Sequence, residues 1–151
     1  MSTFTDTSEK GFQKYIVKEL VEQNKFRESI SNDFDKEFCI NTKQLWEFIK
    51  ETQPETYEMI QRKGERSFLV RLDEKLRKLG VIEVLRKGVK HFDKTVDLFF
   101  RQPSSNYNKK DLAKFKANIF SVTQELVYSS DNANRLDLTI FLNGLPIITC
   151  E

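Results

Sequence analysis

"RLDLTIFLNGLPIITCE", residues 135–151, decides how this chain is read. Two apolar, β-branched runs flank Asn143-Gly144, a dipeptide that tolerates positive φ and so suits a tight hairpin turn. Asp137 stands near the start of the stretch and Glu151 at its end. With a regular two-residue loop, Leu142 pairs with Leu145 and Asp137 falls opposite Cys150. Strand side chains alternate between faces, so Glu151 would then point away from Asp137. For both carboxylates to share a face, the loop must hold an odd number of residues or a bulge must intervene. Pro146 cannot donate to a ladder, which favours irregular pairing here. The expectation is a break in register, either a three-residue loop with Gly144 left-handed or a bulge.

Two carboxylates converging at a sheet rim repel each other and lose hydration, so they call for a cation. Hard oxygen ligands with open positions suit Mg²⁺, which keeps several waters and can share a phosphate oxygen. The structural alternative pairs Asp137 with Arg135 and leaves Glu151 a solvated chain end.

Upstream, the apolar spacing predicts helices. Phe12, Tyr15, Ile16, Leu20 and Val21 recur at helical intervals behind a capping Ser8, giving a helix over about 8–24. "SNDFDKEFCI" reads as a short strand or turn. "NTKQLWEFIKETQ" opens on Asn41 with Gln44 at capping-box spacing and presents Leu45, Trp46, Phe48 and Ile49; Trp46 reads as core. Pro54 opens the next helix, which Gly64 closes, and "RSFLVRLDEKLRKLG" forms another ending at Gly80. "KTVDLFFRQP" reads as a strand, "LAKFKA" as a helical turn and "NIFSVTQELVY" as a strand. The chain is thus one domain over 1–151, helical over about 8–88 and strand-rich over about 92–151. Its class is α/β (α+β), a mixed β-sheet covered by amino-terminal helices.

Composition agrees. The 151 residues suffice for one core, and 13 Phe with 38% hydrophobic residues exclude a disordered chain. No apolar run approaches the roughly 20 residues of a bilayer span and no signal peptide opens the chain, so a cytoplasmic protein without membrane contact is expected. Cys39 and Cys150 lack a CxxC or a neighbouring histidine and read as buried small hydrophobes. The net charge of +2 conceals asymmetry: residues 59–116 hold 16 Lys/Arg against 7 Asp/Glu, and the remainder 9 against 16. A basic middle beside a carboxylate-tipped end suits a polyanionic partner. Lys87, Lys90, Arg101, Lys109 and Lys110 are the cations placed to follow a DNA backbone without reading bases. His91, the one histidine, has no nucleophile in a recognised setting beside it and reads as structural or phosphate-facing.

The hairpin "RLDLTIFLNGLPIITCE", with "RQPSSN", "NIFSVTQELVY" and "SEKGFQKYIVKEL" upstream, resembles the N-terminal nuclease domain of the restriction (motor) subunit of type I restriction-modification enzymes, a branch of the PD-(D/E)xK nucleases. The resemblance implies a restriction-endonuclease-like core in which Asp137 and Glu151 are catalytic and hold Mg²⁺. An acidic residue of the first helix joins them, matching Glu9 and more weakly Glu19. Gln124 falls in a similar segment and reads as structural. It further implies double-stranded DNA as substrate, methylase and specificity subunits as partners, and ATP-dependent motor domains, although no GxxxxGK[ST] occurs here. The family's lysine would fall two positions past Glu151, so the chain is expected to be truncated within the active-site motif and to cleave little by itself. The competing expectation is a non-catalytic module that docks onto the methylase and specificity subunits.

Overall fold

The computed structural model describes residues 7–151. Helix α1 spans Glu9–Asn24, and Ser8 caps it by accepting from the Gly11 amide. The short strand β1, Arg27–Ser29, follows, then a 3₁₀ turn at Ser31–Asp33 and the two-residue strands β2, Phe34–Asp35, and β3, Ile40–Asn41. Helices α2 (Thr42–Thr52), α3 (Pro54–Lys63), α4 (Glu65–Leu79) and α5 (Val81–Lys87) are divided by Gln53 and by glycines at 64 and 80, both at positive φ. Asn41 caps α2 as expected, accepting from the Gln44 amide at 3.2 Å. Gln44 does not close the box: its Oε1 accepts from the Ser121 hydroxyl at 2.7 Å, tying α2 to the sheet.

Strands β4 (Val89–His91) and β5 (Lys94–Val96) form a small ladder, and α6 covers Lys109–Lys116. Then come β6 (Phe120–Val127), β7 (Arg135–Leu142) and β8 (Leu145–Cys150). The main sheet runs β1-β6-β7-β8, with β1 parallel to β6 and the other neighbours antiparallel. This is the mixed, helix-covered α+β architecture that the patterning predicts.

The strand expected over 94–103 is confined to Lys94–Val96. Beyond it the backbone bonds to side chains instead of a ladder. Gln53 donates to the Asp97 carbonyl at 2.8 Å and accepts from its amide at 2.9 Å, and Asn118 brackets Phe100 in the same way. A second correction concerns α1. Its buried residues are Gln13 and Val17, with Ile16, Leu20 and Val21 packed alongside, while Phe12 and Tyr15 stand 64% and 60% exposed. The helix lies over Val122 of β6 and Leu138 of β7, so its outward flank has no sheet beneath it. The cysteines also depart from expectation, since both are exposed. Trp46 is half-buried against Tyr57 and Phe68 at the edge of the core.

Most of the apolar interior lies in the helical lobe, where α2–α5 and the β4–β5 ladder enclose Ile40, Leu45, Phe48, Ile60, Phe68 and Leu72, all fully buried. The Asn143-Gly144 turn plugs into this lobe. Asn143 is fully buried, and its side chain accepts from the Ile119 amide at 2.6 Å while donating to the Leu98 carbonyl and to Asn118 at 2.9 Å each. The Gly144 carbonyl accepts from the Asn41 amide at 2.8 Å, joining the turn to the start of α2.

Candidate carboxylate site

The hairpin resolves the parity question. Its loop is the two-residue Asn143-Gly144, with φ of 52° and 87°, the pair of positive values that a type I′ turn requires. Leu142 faces Leu145 and Phe141 faces Pro146, after which the register shifts: Ile140 faces Ile148, Thr139 faces Thr149 and Leu138 faces Cys150. Ile147 is the extra residue of a β-bulge. Leu138–Cys150 is the last pair of the ladder and Glu151 follows the end of β8; continued by one step, this register sets Asp137 and Glu151 at one level on one face. Of the two expected ways to break the register, the bulge is the one used; the three-residue loop is not formed.

Alternation divides the sheet chemically. Val122 and Leu138 turn toward α1. Ser121 reaches α2 on the other side, where the Phe141 ring meets Phe34 at 6.0 Å. The face carrying Ser121 and Phe141 also carries a row of hydroxyls across all four strands: Ser29, Thr123, Thr139 and Thr149. The Ser29 and Thr123 hydroxyls are hydrogen-bonded at 2.7 Å. The Thr139 hydroxyl, fully buried, has no hydrogen-bond partner among the described residues. Buried polar atoms are nearly always satisfied, which sets this oxygen apart beside the next row.

That next row is acidic. The β6–β7 register sets Glu125 at the level of Asp137, between the Gln124–Leu138 and Leu126–Leu136 pairs, and the β7–β8 register, continued one step past its last pair, brings Glu151 to the same level. Like charges directly opposite one another in a sheet are destabilising. Glu125 also has a left-handed backbone, φ 53°, in the middle of a strand. Such a conformation costs a non-glycine residue roughly 1–3 kcal/mol. Its contact with Arg135, at 3.9 Å with both side chains well exposed, offsets little, since exposed pairs contribute about 0–1 kcal/mol. The expected structural partnership of Asp137 with Arg135 is thus replaced by one between Arg135 and Glu125.

Glu125 was not singled out from the sequence. Its neighbour Gln124 was, but Gln124 sits opposite Leu138 on the α1 face, and alternation gives Glu125 the carboxylate face. Counting outward from the hairpin turn through β7 to β6 would have found it.

The remaining candidates are dispersed. Glu9 is the exposed first residue of α1, where its charge complements the helix dipole, and Glu19 lies partly buried further along. Among the described residues no group of three or more His, Cys, Asp and Glu side chains is arranged to hold a metal ion, so Glu9 is not gathered to Asp137 and Glu151. Lys87 pairs with Glu83 at 3.1 Å on α5; Lys90 lies on β4, Arg101 on the extended segment, and Lys109 and Lys110 open α6, all exposed. Arg101 joins Arg86, Phe99 and Phe100 in an open cleft of about 1000 Å³. His91 is buried, edge-to-face with Phe68 and Phe92, and its Nε2 has no partner among the described residues. Burial, then repulsion from Arg71, lowers its pKa below the ordinary 6.5.

No described helix is long and apolar enough to cross a membrane. No curated protein and no solved structure matches the sequence. A family model described as the type I restriction enzyme R protein N terminus matches residues 6–151. With that match running over nearly its whole length, the chain belongs to the family of type I restriction enzyme R protein N-terminal regions.

Proposed function

We propose that this region, within the complete R subunit, cleaves double-stranded DNA by Mg²⁺-assisted hydrolysis, with Asp137 and Glu151 as the carboxylates that hold the ion. The bulge at Ile147 carries this reading: it shifts the register by one residue, and a ladder continued past Leu138–Cys150 in that shifted register would bring to one face two carboxylates that a regular hairpin would separate. Bringing like charges together is unfavourable without a cation, so the register itself supports an ion between them. The donor set fits Mg²⁺ chemically: hard carboxylate oxygens, with the unpartnered Thr139 hydroxyl one row inward. When bound, the ion lowers the pKa of a water and offsets charge on the phosphate.

The chain's own contribution is positional. The buried Asn143-Gly144 turn fixes the hairpin to the helical lobe, and the hydroxyl row backs the carboxylates, so both hold their place while substrate arrives. In the hydrolysis a water loses a proton as its oxygen bonds to phosphorus. The bond from phosphorus to the leaving nucleotide oxygen breaks, and that oxygen gains a proton. Motor domains driven by ATP, and methylase and specificity subunits, supply translocation and site recognition in this reading.

The test uses the intact subunit in its assembled complex. Asp137→Ala should keep ATPase activity and complex formation while losing DNA cleavage. Retained cleavage would remove Asp137 from the mechanism and leave the region a docking module.

A further inference from the structure

We infer that Arg135 is the residue through which this site grips the phosphate backbone, and that Glu125 is a positioning residue that holds its guanidinium at the rim until DNA arrives. The inference rests on the nuclease reading above. Its first support is an imbalance of charge. Residues 117–151, which hold the whole β6–β7–β8 meander, contain four acidic residues and a single cation, Arg135. A phosphodiester approaching Asp137 and Glu151 meets a row of like charge, and on these strands Arg135 alone offers the opposite sign.

The second support is placement. Arg135 and Asp137 lie two apart on β7, so their side chains share a face with Cα atoms roughly 7 Å apart. That spacing sets the guanidinium beside the carboxylates without placing it on them. A planar fork of N–H donors at that distance matches two oxygens of one phosphate.

The third is the pairing of Arg135. Among the described residues its one ion pair is with Glu125, at 3.9 Å, near the limit of such a contact, and the Arg135 side chain remains 56% exposed. A contact so long and so wet is readily exchanged for a phosphate. Glu125 makes it from a left-handed backbone in mid-strand, a conformation that its extended neighbours on β6 do not need. Strain of this kind persists where the surroundings require one side-chain direction. Here that direction brings Glu125 to Arg135, which sits on the Asp137 face, and so Glu125 restrains the cation on the side where substrate binds.

A purely structural pair would behave differently. If Arg135 only neutralises Glu125, removing both charges together restores whatever removing one has cost.

The experiment measures DNA cleavage and ATPase activity in the assembled complex for Arg135→Gln, Arg135→Lys and the double variant Glu125→Gln/Arg135→Gln, with Asp137→Ala alongside. Arg135→Gln should lower cleavage roughly 10- to 100-fold, the range for losing one charge-assisted contact, and leave ATPase within about twofold. The double variant should stay as impaired as the single one. Arg135→Lys should fall between Arg135→Gln and the native enzyme, because a point charge replaces only part of a fork. Cleavage by Arg135→Gln within about threefold of native, on the scale where tenfold is 1.36 kcal/mol, or its recovery in the double variant, overturns the inference. Should Arg135→Gln also lose ATPase, the decision passes to Arg135→Lys, and native-like cleavage there overturns it equally. If Asp137→Ala still cleaves, the nuclease reading itself fails. If Asp137→Ala is dead while Arg135→Gln cleaves normally, only the role of Arg135 does.

Discussion

The helical lobe and the strand meander hold their structure by different means. In the lobe, 18 buried apolar residues among those described, from α2–α5, the small ladder, the hairpin turn and the segments holding Phe38, Ile40, Leu98 and Ile119, form one continuous cluster. Under α1, the meander's other apolar cluster has only three fully buried members, Val17, Val122 and Leu138, and its rim residues stand half in water. The lobe contributes stability through area removed from water. The meander's opposite face buries a row of hydroxyls in place of apolar groups and carries carboxylates beyond it. Rigid support on one side and a polar-faced sheet on the other suit the proposed site, whose groups would be held in place yet reached by DNA.

Truncating one member of each cluster tests this contrast most strongly. Phe48→Ala, in the lobe, should cost about 3–5 kcal/mol in chemical denaturation. Equal tolerance in both clusters would erase the distinction. At the joint between the two regions, Gly144→Ala should cost about 2–4 kcal/mol: the glycine is at φ 87°, and an added Cβ would lie 2.4 Å from the Asn41 carbonyl oxygen. A mild effect there would mean that the turn is not what couples hairpin to lobe. In the meander, Leu138→Ala should cost about 2–3 kcal/mol, less than Phe48→Ala, because α1 lies on an open flank and can settle.

Smaller effects sharpen the contrast further. His91 belongs to the lobe and is buried in its neutral form. Its folded pKa lies below 6.5, so the unfolded chain takes up the proton first. Stability is therefore flat above pH 6.5 and declines as the pH falls from there toward the folded value, by at most about 1.4 kcal/mol per pH unit. Thermal unfolding followed from pH 7.5 to 5.5 should show this decline in the native protein, and His91→Gln should remove it. Smallest in stability is Asp137→Asn, expected to shift unfolding by no more than about 0.5 kcal/mol, with a gain where repulsion from Glu151 is relieved. A large destabilisation would recast Asp137 as part of the scaffold.

Features set by local chemistry were legible in the sequence. Ser8 and Asn41 cap α1 and α2, Pro54 opens α3, and glycines 64 and 80 end α3 and α4, because each acts on the backbone within a few residues of itself. The strands at 135–142 and 145–150 and the Asn-Gly turn followed from alternation and turn chemistry alone. Parity then required a register break for Asp137 and Glu151 to share a face.

The tertiary structure decided what local chemistry leaves open. It chose a bulge at Ile147 over a longer loop, since docking Asn143 and Gly144 into the lobe admits only a tight, buried turn. It ended the strand at Val96, where Gln53 satisfies the next residue's backbone from 44 positions away. It exposed Phe12 and Tyr15 by placing α1 over β6 and β7 with no described residue packed on its outer flank as core. It also brought Glu125 to the level of Asp137 and within reach of Arg135. Caps and turns act between near neighbours, and the sequence determined them by itself. Registers, docked turns and cross-strand rows depend on partners far apart in the chain, and only packing selects among them.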